Sequence, residues 1–182
     1  MKILLTNVRC AYPKLFEAIE NKFSGVRQYE VRVILQKGDP QVEKLRKAMQ
    51  EVFVNKFGPE KGPKKYKAAM ESKNTRFMQY DDDNDWYYLN LKRRESDGAP
   101  VVMDRDKRHL AASEGKPYGG CYINVSFDIW VFDNASTGCG GTLNGVQFVK
   151  DGEPFSGASQ PSDDDFEDLG AEEGDDDMSR FM

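Results

Sequence analysis

The stretch from Tyr122 to Phe132 alternates more regularly than any other part of the chain. Its odd-numbered residues form an unbroken apolar face: Ile123, Val125, Phe127, Ile129 and Val131. The even-numbered residues, which include Tyr122 and Trp130, form the opposite face. Successive side chains of a β-strand point to opposite sides, so this pattern predicts a strand with one face in a core. The chain must therefore build a sheet, and aromatic rings are expected on its second face.

Two further strands are predicted near the N-terminus. Residues 2–12 alternate, Pro13 is expected to end that strand, and residues 14–28 follow as a loop. Residues 29–35 (YEVRVIL) alternate strictly and predict a strand with four apolar residues on one side. In the earlier strand, residues 2–12, the side chains expected to share one side are Leu4, Val8, Cys10 and Tyr12.

The period then changes to that of a helix. Asp39 is a suitable N-cap and Pro40 suits the first helical position. Apolar residues recur at helical spacing as far as Phe57, and Gly58-Pro59 is expected to stop the helix. The next residues, 60–73, predict a basic loop that runs into a short helix.

The second half of the chain is richer in strand patterns. Strands are predicted at 86–93 and 101–103, followed by a long charged loop over 104–120. After the strand at 122–132, a glycine-rich turn over 136–141 is expected to lead into a last strand at 142–150. Several strands, one clear helix and long loops indicate a mainly β fold, a small barrel or sandwich with an inserted helix.

The C-terminal segment is strongly acidic. From Asp163 to Met182 it holds ten acidic residues and one basic residue, Arg180. Such a segment repels itself and has few apolar side chains, so we predict a disordered acidic tail. The whole chain carries −5, with 26 basic and 31 acidic residues, so residues 1–162 carry a net charge of about +4. A mildly basic body suggests a polyanionic partner, with which the tail would compete for the basic surface, although the tail could also serve solubility alone.

Composition and motifs argue against several classes of protein. The three cysteines, Cys10, Cys121 and Cys139, show no paired spacing, which suggests a reducing compartment and argues against a disulfide framework or a zinc site. No apolar run approaches the roughly 20 residues of a membrane helix. No nucleotide-binding loop, zinc-protease motif or serine-hydrolase motif occurs. We therefore predict no catalytic residue, no metal site, no cofactor and no membrane partner.

An acidic run supplies the one enzyme hypothesis. Its members are Asp81, Asp82, Asp83 and Asp85, with Asp104 and Asp106 further along. Clustered carboxylates bind divalent cations in nucleases, so a metal-dependent nuclease is an alternative function. The run lacks the glycine and the terminal glutamate of a calcium-binding loop, and a solvated hairpin loop is the favoured interpretation.

Aromatic and basic side chains are interleaved on the predicted strands. Single-stranded nucleic acid is bound by rings that stack on bases and by cations that contact phosphates. We predict a DNA-binding set of Trp86, Tyr88, Lys92, Arg94, Tyr122, Trp130, Arg105, Lys107, Lys64 and Lys65. Alternatively, the rings pack under the helix or the loops and the cations only solubilise the surface.

Four stretches carry a resemblance to a known family. They are LTNVRCAYPKLFEA (5–18), YEVRVIL (29–35), PYGGCYINVSFDIWVFDN (117–134) and GGTLNGVQFVKDGEPF (140–155). Together they resemble the phage single-stranded DNA-binding proteins of the OB-fold group, in order and over about residues 1–157. The acidic end with its penultimate Phe181 is also similar to the tails of phage and bacterial single-stranded DNA-binding proteins.

The resemblance implies an OB-fold-like β-barrel over residues 1–157 and a disordered tail over 158–182. It implies a non-enzymatic protein of phage DNA replication or recombination, acting in the host-cell cytoplasm. In such proteins the tail competes with DNA and recruits replication proteins, a role we assign to Asp175, Asp176, Asp177 and Phe181. Met182 departs from tails that end on the aromatic residue itself. A phage adaptor protein without DNA affinity, its tail bound to a basic partner, is the remaining alternative.

Overall fold

The computed structural model describes residues 1–72 and 77–155. The predicted disordered tail, residues 158–182, lies outside the described residues. The helix and strands are β1 (Lys2–Glu20), β2 (Arg27–Gln36), α1 (Pro40–Glu71), β3 (Met78–Asp81), β4 (Trp86–Arg94), β5 (Val101–Met103), β6 (Tyr122–Asp133) and β7 (Thr137–Lys150). The strands predicted at 29–35, 86–93, 101–103 and 122–132 are confirmed.

Five of the strands close into a barrel. β1 pairs with β2 on one side and with β6 on the other, β2 pairs with β4, and β6 pairs with β7. The ring closes where β4 meets β7 in parallel, at Lys92 and Thr142. β3 and β5 extend the sheet beyond this ring. A five-stranded barrel of this kind confirms the predicted OB-fold-like class.

The core of the barrel consists mainly of the residues that the alternating pattern predicted to be buried. Leu5, Val33, Leu89, Phe127 and Leu143 are fully buried, one from each barrel strand. Helix α1 packs against β6 and β7 and adds its own apolar side to the core. The buried residues of α1 are Val42, Leu45, Ala48, Met49, Phe53, Gly62 and Ala69. The rings of Tyr88 on β4 and of Tyr122 and Trp130 on β6 alternate with these core residues, so they project from the barrel's outer surface.

The prediction for the side-chain directions of β1 was partly wrong. Val8 and Cys10 are buried as expected, but Leu4 is 51% exposed and Tyr12 is 68% exposed. The register with β6 shifts between Leu5 and Val8, where Asn7 has a φ of 51°. An extra residue in a strand reverses the side to which later side chains point. The register shifts of β1, one against β6 and two against β2, therefore break the simple alternation.

Pro13 does not end β1, and residues 14–28 are not a loop, because the strand continues to Glu20. Pro13 lies where the β1–β2 register shifts between Ala11 and Lys14. At such an irregularity the missing N–H of proline costs no ladder hydrogen bond. β1 and β2 thus form a long hairpin, and its tip is the short segment 21–26.

Helix α1 begins as predicted and continues further than predicted. The side chain of Asp39 accepts a hydrogen bond from the Gln41 backbone N–H at 2.9 Å, which caps the helix, and Pro40 follows the cap. Gly58 adopts a φ of 89° and breaks the helix, as expected, but a second helical segment resumes at Pro59 and reaches Glu71. No helix in the described part of the chain is long and apolar enough to span a membrane.

The glycine-rich stretch 136–141 is not a turn but the start of β7, which begins at Thr137. All three glycines of this stretch lie directly beneath aromatic rings. A Cβ on Gly138 would approach Phe132 to 2.4 Å, one on Gly140 would approach Trp130 to 2.6 Å, and one on Gly141 would approach Phe77 to 2.6 Å. Glycine is needed here because rings occupy the space of a side chain, a cause that sequence pattern alone does not show.

Candidate nucleic-acid interface

A single row of paired residues crosses the outside of the barrel. Lys150 of β7 pairs with Tyr122 of β6, Tyr122 pairs with Arg9 of β1, Arg9 pairs with Ile34 of β2, and Ile34 pairs with Tyr88 of β4. Directly paired residues project to the same side of a sheet. The row therefore places two tyrosines and two cations on one outer surface, which we call the aromatic face.

The side chains of this row contact one another and two further rings. The Lys150 ammonium lies 4.8 Å from the centroid of the Tyr122 ring. The Arg9 guanidinium lies 4.1 Å from the centroid of the Phe155 ring. Phe155 meets Trp86 edge-on, with ring centroids 6.0 Å apart. Trp86 is two residues before Tyr88 on β4, so the aromatic face continues along that strand.

Arg32 forms a second centre beside this row. Its guanidinium lies 4.4 Å from the centroid of the Tyr88 ring and 5.6 Å from that of Tyr12. Its Nε donates a hydrogen bond to Asn90 Oδ1 at 2.9 Å, which fixes its orientation. A guanidinium held between two rings keeps its charge at the surface while it orders both rings.

Two grooves meet on strand β4. The smaller has a volume of about 300 Å³ and includes Tyr12 and Arg32 in its lining. The larger, of about 920 Å³, includes Arg94 and Trp130. Asn90 and Lys92 line both grooves, so the grooves are joined across β4.

Trp130 supplies an exposed ring in the larger groove. It is 48% exposed, and its Nε1 donates to Thr142 Oγ1 at 3.0 Å. Phe132 lies 5.9 Å from it, centroid to centroid. Lys92 and Arg94 lie on the same groove, and within the described residues neither side chain makes an ion pair. Both cations are therefore free to meet an anion.

The structure brings together six of the ten residues predicted to bind DNA. Trp86, Tyr88 and Tyr122 lie on the aromatic face, whereas Lys92, Arg94 and Trp130 line the larger groove. The other four lie elsewhere: Arg105, Lys107, Lys64 and Lys65.

None of those four lines either groove. Arg105 donates to the Val149 carbonyl at 3.0 Å. Lys65 lies 4.0 Å from the Asp133 carboxylate. Lys107 lies in an exposed turn and Lys64 on the outer side of α1. That these four residues contact DNA stays a prediction.

Sequence reasoning missed Arg9, Tyr12, Arg32 and Phe155. Arg32 alternates with the buried residues of β2, so the same argument that selected Tyr88 would have selected it. Tyr12 was assigned to the core side, because the bulge at its φ of 48° is invisible in the alternation. Phe155 follows the last strand and no periodic pattern points to it.

The tip of the β1–β2 hairpin presents another ring. Phe23 is fully exposed, at 102%. Asn21 orders the tip, because its side-chain oxygen accepts hydrogen bonds from the backbone N–H groups of Phe23 at 2.9 Å and Ser24 at 3.2 Å. In OB folds this loop and the one between the last two strands often contact oligonucleotides.

The acidic run 81–85 forms the hairpin turn between β3 and β4, which is the interpretation that the sequence favoured. The Asp81 carboxylate accepts hydrogen bonds from the Asn84 side chain at 2.9 Å and from the Asp83 backbone at 3.0 Å, and these bonds lower the pKa of Asp81. Asp85 lies 3.6 Å from Lys37 and accepts a hydrogen bond from the Tyr80 hydroxyl. No cluster suited to a metal ion occurs among residues 1–72 and 77–155.

A family model matches the chain over residues 1–179. Its description is the single-stranded DNA-binding protein of Enterobacter phage Enc34. Among curated proteins, putative protein p50 of Acyrthosiphon pisum secondary endosymbiont phage 1 is 34% identical over 174 residues, covering 93% of this chain and 94% of that protein.

Solved structures share the fold. The single-stranded DNA-binding protein of bacteriophage Enc34, in complex with single-stranded DNA, superposes with a TM-score of 0.68 at 18% identity, covering 85% of this chain and 89% of that one. The single-stranded DNA-binding protein gp2.5 of bacteriophage T7 gives a TM-score of 0.54 at 14% identity, covering 88% and 98%. At these identities the likeness supports the barrel architecture rather than individual contacts.

Proposed function

The chain belongs to the family of the single-stranded DNA-binding protein of phage Enc34, and from this premise we propose that it binds and protects single-stranded DNA in phage DNA replication or recombination. The observation that carries the proposal is the continuity of rings and cations across the barrel. The row through Tyr122, Arg9 and Tyr88 meets Arg32, and the grooves on either side of Lys92 extend it to Trp130.

The rings account for binding without sequence preference. Every base has a π-face, and one base stacked on an aromatic side chain is worth about 1–3 kcal/mol. Tyr12 and Trp130 are largely exposed, and Trp86, Tyr88 and Tyr122 are half-buried. Half-buried rings are held in place by the sheet, so ordering them costs little when a base arrives.

The cations would follow the phosphates. Arg9 and Arg32 lie on the aromatic face, and Lys92 and Arg94 lie along the larger groove. Each phosphate contact releases counterions, so affinity should fall as salt rises, with a slope of roughly −0.7 for each phosphate bound on a single strand.

We further propose that the protein acts without catalysis and in the host-cell cytoplasm. Supporting this, the Asp81 carboxylate is engaged in ordering its own turn and Asp85 faces Lys37. These carboxylates therefore act as hairpin structure rather than as ligands of a catalytic metal.

The acidic tail is proposed to lower DNA affinity and to recruit replication or recombination proteins. It holds ten acidic residues from Asp163 onward, against a mildly basic body. The last described residue, Phe155, lies on the aromatic face, so the tail is joined to the described part of the chain close to the proposed DNA site. A polyanion tethered there competes with DNA at a high effective concentration. Asp175, Asp176, Asp177 and Phe181 would form the part that partners recognise.

The direct test is a fluorescence titration with oligo-dT at two salt concentrations. Trp86→Phe and Trp130→Phe each leave one tryptophan as the reporter. Quenching in both variants, weaker at the higher salt, is the expected result, because both rings lie on the proposed path. Binding seen by gel shift with quenching of one tryptophan only would restrict the site to that tryptophan's groove. No binding by either method, with or without residues 158–182, would overturn the proposal and favour the adaptor protein.

A further inference from the structure

The segment Asp151–Phe155, which we call the strap, is tied to the barrel although it follows the last strand. The Tyr118 hydroxyl donates to the Asp151 carboxylate at 2.7 Å, and the Gly152 backbone N–H donates to the Tyr118 oxygen at 3.2 Å. Burial, together with the hydrogen bond to Asp151, raises the pKa of Tyr118. The hydroxyl therefore stays protonated and keeps donating.

Backbone contacts continue along the strap. Arg9 Nη2 donates to the Glu153 carbonyl at 2.6 Å. The Phe155 backbone N–H donates to the Gly119 carbonyl at 3.3 Å. A Cβ on Gly120, whose φ is 112°, would lie 2.2 Å from the Glu153 carbonyl oxygen, so the strap passes too closely for any side chain there.

These contacts place the Phe155 ring on the aromatic face. One side of the ring covers the Arg9 guanidinium at 4.1 Å, and Trp86 meets it edge-on at 6.0 Å. Phe155 as a residue is nevertheless 37% exposed. Phe155 thus has a fixed backbone, a charged support beneath the ring and solvent at part of its surface.

We propose that Phe155 is a base-stacking residue, so that Arg9, Phe155 and Trp86 form a nucleobase subsite and the strap belongs to the DNA-binding unit. The inference rests on the proposed function and adds a residue that lies outside the barrel strands. A ring whose backbone is already held loses little entropy when a base stacks on it. The guanidinium beneath the ring strengthens the site by adding positive charge close to the passing phosphates.

Three substitutions separate stacking from simple packing in the full-length protein. Phe155→Leu keeps an apolar side chain of similar size but removes the π-face, and Phe155→Trp keeps a π-face. Phe155→Ala removes both. The matched control is Tyr80→Ala, because Tyr80 is also 37% exposed but pairs with Tyr87 and therefore lies on the opposite side of the β3–β4 hairpin from Tyr88.

Oligo-dT affinity should fall about 5- to 150-fold in Phe155→Leu and Phe155→Ala, the range expected for one lost stacked base. Phe155→Trp and Tyr80→Ala should bind like the unsubstituted protein. The salt slope of Phe155→Leu should be unchanged, because no phosphate contact is lost. Thermal unfolding of each variant shows whether the fold is kept.

The inference fails if Phe155→Leu binds as tightly as the unsubstituted protein, since the ring would then only pack against Arg9. It also fails if Phe155→Ala binds more tightly, because the ring would then occupy a place that DNA needs. If the unsubstituted protein itself does not bind oligo-dT, the proposed function fails first and the subsite falls with it. If Phe155→Ala unfolds, Phe155→Leu decides, because its apolar side chain can still pack against the Arg9 side chain while the π-face is lost.

Discussion

The Arg32 guanidinium lies 4.4 Å from the centroid of the Tyr88 ring. The two residues are on neighbouring strands, and Arg32 is also hydrogen-bonded to Asn90, two positions along from Tyr88. This arrangement presents a ring and a charge together, where a base and its phosphate would need them. A tyrosine supported by a cation is a stronger platform than a ring that is free to rotate.

Replacement of Tyr88 by alanine should weaken oligo-dT binding about 5- to 150-fold, the cost of one lost stacking partner. Tyr88→Phe removes only the hydroxyl, which donates to Gln79 Oε1 at 2.5 Å, and should bind nearly as tightly as the original chain. Fluorescence anisotropy with a labelled oligonucleotide measures both. Equal losses of affinity in the two variants would show that the hydroxyl, rather than the ring, supports DNA binding.

Removal of the charge of Lys92 or Arg94 should change the salt dependence of DNA binding, and it should leave the preference for DNA sequence almost unchanged. Each phosphate contact contributes roughly 0.7 to the slope of log affinity against log salt on a single strand. Lys92→Gln and Arg94→Gln should each lower the magnitude of the slope by about that amount. Lys47→Gln, on the exposed side of α1, is the control and should leave the slope unchanged. A slope that stays the same in both groove variants would place the phosphates elsewhere.

Much of the barrel could be predicted from the alternation of apolar and polar residues along the strands. The inward residues of β2, β4 and β6 were identified correctly because β2 and β4 pair without a register shift, and because the extra residues at the two β6–β7 register shifts lie in β7. The same regularity placed Trp86, Tyr88 and Tyr122 outside. Local pattern is sufficient wherever a strand has one buried side and no bulge.

The failures have tertiary causes. The bulges at Asn7 and Tyr12 change the direction of β1, and they depend on pairing with two other strands. The glycines before Thr142 looked like a turn because glycine usually marks one, yet here it makes room for Trp130 and Phe77. Phe155 reaches the aromatic face only because Gly120 lets the strap pass. Such close approaches between distant segments have no local sequence signature.

The glycine explanation predicts a stability difference. Gly141→Ala would bring a methyl group to 2.6 Å from Phe77 and 2.7 Å from Leu91, both buried, and overpacking of this kind typically costs about 1–3 kcal/mol. Gly38→Ala meets nothing within 4 Å and is the control, with a change of about 0.5 kcal/mol or less. Urea unfolding followed by circular dichroism measures both. Equal stability of the two variants would show that Gly141 is not needed for packing.

Burial should protect Cys139 from alkylation. It raises the pKa of the Cys139 thiol to about 12. Below that pH the thiol keeps its proton, and since the thiolate is the reactive form, iodoacetamide at pH 8 should not modify Cys139 in the folded protein. Mass spectrometry of peptides from native and urea-unfolded samples gives the measurement. Rapid labelling of the native protein would mean that β7 opens near this residue.

Deletion of the acidic tail should tighten DNA binding, most strongly at low salt. In the proposed competition, the tail's charge would act on the aromatic face and the grooves through electrostatic forces that salt screens, with a screening length of about 10 Å at 0.1 M salt. A chain ending at residue 157 should therefore exceed the full chain in oligo-dT affinity at 0.05 M salt, with the difference shrinking as salt rises. Replacement of Asp175, Asp176 and Asp177 by asparagine should give part of the gain, whereas Phe181→Ala should give little, because it leaves the charge in place. Affinities that coincide at every salt concentration would show that the tail does not reach the DNA site, and its role would then be confined to partner recruitment or solubility.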